Sequence, residues 1–233
     1  MSKQKVKWRG IPTNPTPRNE DKAKTIQNRL HQISFSLPRI DDKKRWAGYP
    51  GLSGISPRLA KMIPSCKTYV EALAGAARTY QELRRLDTKI QFFILNEKSP
   101  FILQWLRDNF HKDKTEVTEL DFIECIRQYD STETVFLFDL PWFITLYKQP
   151  FSWFDRESVK QYEIELLNEL KTIQGKFFIT TRIENIRMKH TSYHKYLIKT
   201  EYVVSGKYPE TLVTSNIDIS EKRLKDIGGI RKI

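Results

Sequence analysis

A mixed α/β fold, with a mostly parallel sheet and helices on both faces, is what this sequence predicts, and three observations predict it. From about residue 45 onward, strand-like apolar runs alternate with helix-like segments, the pattern that crossover connections leave in a sequence. The runs KIQFFILN (89–96) and TVFLFDL (134–140) are apolar through their centres and do not alternate, as strands covered on both faces do. The closing stretch YLIKTEYVVSGKYPETLVTSNIDI reads differently, as two strands around the turn SGKYPE, and adds an antiparallel hairpin.

The elements follow in order. Residues 1–44 carry prolines in IPTNPTP and little periodicity; DKAKTIQNRLHQI suits one short helix starting near Asn19, and the segment reads as a basic N-terminal extension. KTYVEAL (67–73) is a short strand, followed by a small-residue loop and the helical AGAARTYQELRRL. After strand 89–96, SPFILQWLRDNF (99–110) is a helix with Ser99 as cap and Pro100 at its first position. LDFIECIRQY is a shorter helix, and TVFLFDL is the third clear strand. FDRESVKQYEIELLNELKTI is an amphipathic helix capped by Asp155 and ended by Gly175, and KFFITT follows as a strand. Residues 45–220 thus form the folded domain, and 221–233 a basic C-terminal tail.

Charge is concentrated at the ends. The net charge is +12; residues 1–46 hold twelve Lys and Arg against four acids, and residues 221–233 hold five against two. A nearly neutral body with basic arms suits a polyanion such as nucleic acid, and equally a protein-binding tail. Two cysteines, Cys66 and Cys125, and four histidines give no zinc spacing, and two free thiols in a reducing compartment are expected. No window approaches the roughly eighteen apolar residues of a membrane span, and no secretory core opens the chain, so a soluble, cytoplasmic protein without a membrane partner is expected.

In parallel sheets, ligands bind beyond the carboxyl ends of the strands, which directs attention to the loops after Val70, Leu95 and Phe138. Each of these strands runs into an acid: Glu71, Glu97 and Asp139. Glu71 precedes the small-residue turn Ala74-Gly75-Ala76-Ala77, which lets a ligand approach backbone at a helix start. Glu97 stands where an acid accepts hydrogen bonds from a ribose. Each acid taken singly also suits a helix cap; the three together favour a nucleoside-containing cofactor. One glycine in the turn does not make a dinucleotide fingerprint, and the absence of Gly-Lys-Ser/Thr removes a P-loop.

The order YPGLSG (49–54), RLAKMIPSCKTYVEALAGAA (58–77), ILNEKSPFILQWLRDNF (94–110), DF (121–122), YDS (129–131), VFLFDLPWF (135–143) and GKFFITTRIENI (175–186) resembles the DNA adenine methylase family, as does ETLVTSN (210–216) at its closing strand. That family is Rossmann-like and uses S-adenosylmethionine to methylate the exocyclic amine of adenine. The resemblance implies cofactor contacts from Tyr49, Pro50 and Gly51, from Glu71, Leu73, Gly75 and Ala77, from Glu97, and from Asp121 and Phe122. It implies that Asp139, Leu140, Pro141 and Trp142 form the catalytic loop. There Asp139 and the Leu140 carbonyl would accept the amine hydrogens, Pro141 would fix the backbone, and Trp142 would stack on a flipped base. The chain departs from the family at Leu52 and Ser53, where Gly-Lys is usual, at Ala77 for Gly, and at Leu140 for Pro. Only 23 residues separate Glu97 from Asp121, which leaves no room for a target-recognition insertion. Sequence specificity would then come from the basic arms, from LYKQPFSWF (146–154) or from a partner protein. An active methyltransferase on DNA, a related activity on RNA, and a degenerate homologue serving as a nucleic-acid-binding or structural subunit all remain open at this point.

Overall fold

The structure is a computed structural model and describes residues 54–86, 88–110, 114–140, 156–182, 186–200 and 210–233. All of them belong to the compact unit that begins at Arg45. In chain order the elements are α1 (Ser56–Met62), β1 (Thr68–Glu71), α2 (Arg78–Arg85), β2 (Phe92–Asn96), α3 (Pro100–Phe110), β3 (Thr115–Thr118), α4 (Phe122–Tyr129), β4 (Thr134–Asp139), α5 (Arg156–Glu169), β5 (Lys176–Arg182), α6 (Ile186–Lys189), β6 (His194–Lys199), β7 (Glu210–Ser215), α7 (Glu221–Ile227) and β8 (Ile230–Lys232).

One eight-stranded sheet holds them, ordered β3-β2-β1-β4-β5-β7-β6-β8. Strands β3 to β5 are mutually parallel, and β7, β6 and β8 are joined by antiparallel pairings. This is a Rossmann-like α/β fold with an antiparallel C-terminal end, as expected. The strand order reverses between β1 and β4, and a crevice at that reversal is where such sheets take ligands.

Strand alternation divides the core in two. Tyr69, Phe93, Leu95, Val135, Leu137 and Phe178 enter a cluster with residues of α1, α2 and α3. Val70, Ile94, Phe136, Phe138, Phe177 and Ile179 enter a second one with residues of α4, α5 and α6. Because both faces are filled, the strands read as apolar runs. The same alternation places Glu71, Asp139 and Thr180 on the face covered by α1 to α3, since they lie two residues beyond Tyr69, Leu137 and Phe178.

Four features differ from the sequence reading. Residues 221–233, read as a tail, form α7 and β8; β8 pairs with β6, and Leu224 is buried in the first cluster. Arg223 donates to the carbonyls of Lys61 and Ile63 at the end of α1, at 2.8 and 3.1 Å, and Arg58 donates to the carbonyls of Gly228 and Lys199. A Cβ on Gly229 would lie 2.7 Å from the Arg58 Nε, at a φ of +69° that side chains disfavour. Second, α1 and β3 were not anticipated: α1 is seven residues long, and β3 is a four-residue edge strand of alternating burial. Third, α5 ends at Glu169, six residues before Gly175. Gly175 is instead a close-approach site, where a Cβ would meet the Thr134 carbonyl oxygen at 3.0 Å and the Phe136 ring at 3.1 Å. Fourth, the expected first strand, 67–73, narrows to Thr68–Glu71, so Leu73 lies in the following turn.

The 23 residues between Glu97 and Asp121 are taken up by α3, β3 and their connections. Both cysteines are free thiols, Cys125 buried and Cys66 half-buried, and burial raises the thiol pKa of each, to about 12 and about 11. Among the described residues, no helix is long and apolar enough to cross a membrane. The candidate helix near Asn19, the Asp155 cap, the loop 146–154 and most of the SGKYPE turn lie outside the described residues.

Candidate cofactor and catalytic site

The turn after β1 is built for close approach. Gly75 has φ +50°, and a Cβ there would meet no atom of the described residues within 4 Å, so among them the space over it is open. Ala77 follows at φ 47° and ψ 43°, in the left-handed region, with its methyl fully buried. Alanine holds that conformation at a cost of about 1–2 kcal/mol that glycine avoids. The Ala77 N–H donates to the Ala74 carbonyl at 2.7 Å, and the Gln81 side chain donates to the Ala76 carbonyl at 2.9 Å, closing the turn.

Glu71 ends β1 and is buried. Its Oε1 accepts from the Tyr69 hydroxyl at 3.0 Å and from the Tyr80 N–H, in the first turn of α2, at 2.5 Å. Burial pushes this carboxyl up to about 8; the two hydrogen bonds work against that, and the nearby Asp139 charge adds to it. Glu97 follows β2 and is half-buried. One of its oxygens accepts from the Gly75 N–H at 2.9 Å, the other from the Ser99 N–H at 2.8 Å, so it joins the small-residue turn to the start of α3. Burial raises its pKa as well. Two of the motifs read from sequence, 22 residues apart, are thus in direct contact. The Lys98 N–H also bonds the Glu97 carboxyl, which leaves about one of its four acceptor positions for a ligand hydroxyl.

Asp139 ends β4 and is half-buried. Its Oδ1 accepts from the Thr180 hydroxyl at 2.7 Å, and burial pushes the carboxyl up to about 7 against that bond. Leu140 is buried in the second cluster.

Asp121 caps α4. It accepts from the Ile123 N–H at 3.0 Å in a capping box with Glu124, and Lys98 donates to it at 3.0 Å. Phe122 is buried with its ring edge-on to Tyr162 at 5.3 Å. Leu73 is half-buried against the second cluster. Tyr49, Pro50, Gly51, Pro141 and Trp142 lie outside the described residues.

Two residues that the sequence reading passed over organise the site. Asn96 is 1% exposed, and its amide makes four hydrogen bonds: it donates to the Ala72 and Leu120 carbonyls and accepts from the Thr118 hydroxyl and the Leu120 N–H. The loops after β1, β2 and β3 are tied at that one side chain. Thr180 is the other, and the signal for it was a polar Thr-Thr pair inside the otherwise apolar strand KFFITT.

Glu71, Glu97 and Asp139 share a further property. Among the described residues none of the three is ion-paired; the cation nearest in sequence, Lys98, is paired to Asp121. Buried and half-buried carboxyls that no described cation pairs favour a ligand that brings a positive charge, and they disfavour a phosphate. S-adenosylmethionine, named by the resemblance, fits this set: it carries a sulfonium, an ammonium and a ribose diol, and no phosphate. The space left open over Gly75 by the described residues is the second observation in its favour. No group of three or more His, Cys, Asp or Glu among the described residues could hold a metal ion.

No protein-family model matches the sequence, and no curated protein does. Solved structures of similar chain path include a methyltransferase from Geobacter sulfurreducens, at 10% identity and a TM-score of 0.47, covering 90% of this chain and 100% of that one. A protein from Pyrococcus horikoshii provisionally described as an RNA methyltransferase is similar at 12% identity and a TM-score of 0.48, covering 81% and 97%. One from Clostridium thermocellum, provisionally described as an rRNA methylase, is similar at 16% identity and a TM-score of 0.47, covering 70% and 95%.

Proposed function

We propose that this chain is an S-adenosylmethionine-dependent methyltransferase that acts on the exocyclic amine of adenine in DNA. The observation that carries the reading is the set of three carboxyls, Glu71, Glu97 and Asp139, without an ion pair among the described residues, at the ends of β1, β2 and β4 around the reversal of strand order. S-adenosylmethionine, when bound, supplies a methyl group on a sulfonium sulfur, which takes the C–S bonding pair and leaves as a neutral thioether.

The protein's part is positional and electrostatic. Glu97 accepts a ribose hydroxyl, and the turn at Gly75 lets the cofactor lie close to backbone. The adenine amine is a poor nucleophile because its lone pair is delocalised into the ring. Asp139 and the Leu140 carbonyl accept its two hydrogens and localise the pair toward the methyl carbon. The nitrogen then gains a methyl group and gives up one proton, which passes through Asp139 to solvent. The +12 net charge, concentrated at the chain ends, supports a nucleic-acid substrate. A partner protein that supplies sequence specificity is part of the same proposal, given the short span between Glu97 and Asp121.

One observation favours a second reading, a degenerate homologue that serves as a nucleic-acid-binding or structural subunit. Both Glu71 and Glu97 already accept backbone N–H groups of their own chain. Calorimetry with S-adenosylmethionine decides between the two. The enzyme reading expects measurable heat from the wild type and a loss of at least tenfold in affinity for Glu97→Ala. No heat from the wild type leaves the second reading. Labelled-methyl transfer to duplex DNA, single-stranded DNA and RNA, with Asp139→Ala as control, then assigns the substrate.

A further inference from the structure

We propose that Thr180 is the positioning residue of this site: its hydroxyl holds one oxygen of the Asp139 carboxylate and leaves the other to receive an N–H of the substrate amine. The inference rests on the reading of Asp139 as the group that meets the substrate. Asp139 and Thr180 are Cα partners across the parallel β4–β5 pair, on the same face of the sheet. The Thr180 Oγ1 lies 2.7 Å from Asp139 Oδ1 and 3.4 Å from the Phe138 carbonyl oxygen. A hydroxyl has one proton to give, and the shorter bond, to a carboxylate, takes it.

Thr180 is 0% exposed, on a strand flanked by β4 and β7, so its hydroxyl has no route to water. Thr214 on β7 is equally buried, but among the described residues its hydroxyl has no partner. The two threonines separate a hydroxyl that merely fills the sheet from one that orients an acid. Among the described residues, the Asp139 charge acts on the Glu71 carboxyl at the end of β1, and no Lys, Arg or His is ion-paired with Asp139. The Thr180 hydroxyl is therefore the described donor that favours the ionised form, and it fixes the plane of the carboxylate at the same time.

The test uses the full chain with Thr180→Val, Thr180→Ser and Thr214→Val. Valine keeps the β-branched shape, and melting curves confirm that each variant is folded; Thr180→Ala replaces the valine variant if it is not. The Asp139 carboxyl is followed by ¹³C NMR against pH, with its resonance assigned by its loss in Asp139→Asn. Thr180→Val is expected to raise the Asp139 midpoint by about one pH unit, while Thr180→Ser and Thr214→Val stay close to wild type. In the methyl-transfer assay, kcat of Thr180→Val at pH 7 is expected to fall by roughly fivefold and to recover as pH rises, with KM for S-adenosylmethionine changed less than about twofold. An active wild type whose Thr180→Val variant keeps its Asp139 midpoint, or keeps its kcat, overturns the proposal alone. A wild type that methylates no nucleic acid overturns the reading beneath it.

Discussion

Asn96 shows how much of the site depends on one side chain. Alanine there would strand two buried carbonyls, one N–H and one hydroxyl, each an unsatisfied group that costs about 1–3 kcal/mol when water cannot replace the partner. Asn96→Ala is expected to lose about 3 kcal/mol or more in urea unfolding and to weaken cofactor binding. A loss below about 1 kcal/mol would mean that the three loops hold without it. The carboxyls predict a pH dependence whose sign is fixed. Burial raises Glu71 from 4.5 to about 8 and Asp139 from 3.8 to about 7, so the folded chain binds these protons more tightly than the unfolded one. Their contribution to stability is therefore full at acid pH and is lost as pH rises from about 4 toward 8. A cationic ligand favours the ionised forms, so its affinity rises over the upper part of that range and its binding releases protons. Melting curves of the ligand-free protein at pH 5, 7 and 8.5 test the first statement, and Glu71→Gln is expected to flatten the trend. Calorimetry in buffers of different ionisation enthalpy tests the second. No proton release on binding would be evidence against the unpaired-carboxyl argument.

At the scale of elements, legibility followed burial. The strands at β2 and β4 were readable because both their faces are covered, which forces long apolar runs. β3 was not, because an edge strand of four residues with alternating exposure carries too few apolar positions to stand out. The acids at the strand ends were readable because topology alone sends ligands there. Their partners Tyr69, Tyr80 and Thr180, and Asn96 that ties the loops together, were not, since those contacts depend on register and on where a helix begins. The C-terminal segment was misread because its charges mask the few residues that hold it down. Leu224, the Arg223 bonds to the end of α1 and the β8–β6 ladder together make that segment part of the domain. Leu224→Ala is expected to cost about 2–4 kcal/mol, in the range for a buried leucine. Deleting 221–233 is expected to cost more than that single substitution. A truncated protein with an unchanged melting temperature would restore the reading of a solvated tail.

For the molecule as a whole, the proposed function requires that a polyanionic substrate be delivered to the sheet edge. With three of the five C-terminal cations bonded within the fold, Arg231 to Glu210, Lys232 to Asp218 and Arg223 to carbonyls, the free positive charge falls more heavily on the N-terminal residues. Residues 1–44 hold eleven Lys and Arg against four acids. If those cations meet phosphates, each contact releases counterions, and the logarithm of affinity falls with the logarithm of salt by roughly 0.9 per contact on duplex DNA. Removing 1–44 is therefore expected to weaken duplex binding by at least about tenfold at roughly 0.1 M salt and to make the salt slope shallower by roughly three or more. Calorimetry with S-adenosylmethionine on the same deletion separates delivery from chemistry. Cofactor affinity kept while DNA affinity and salt slope fall together assigns the N-terminal charge to the nucleic acid. An unchanged slope would assign it to a protein partner instead, and sequence selection would then have to be sought in that partner.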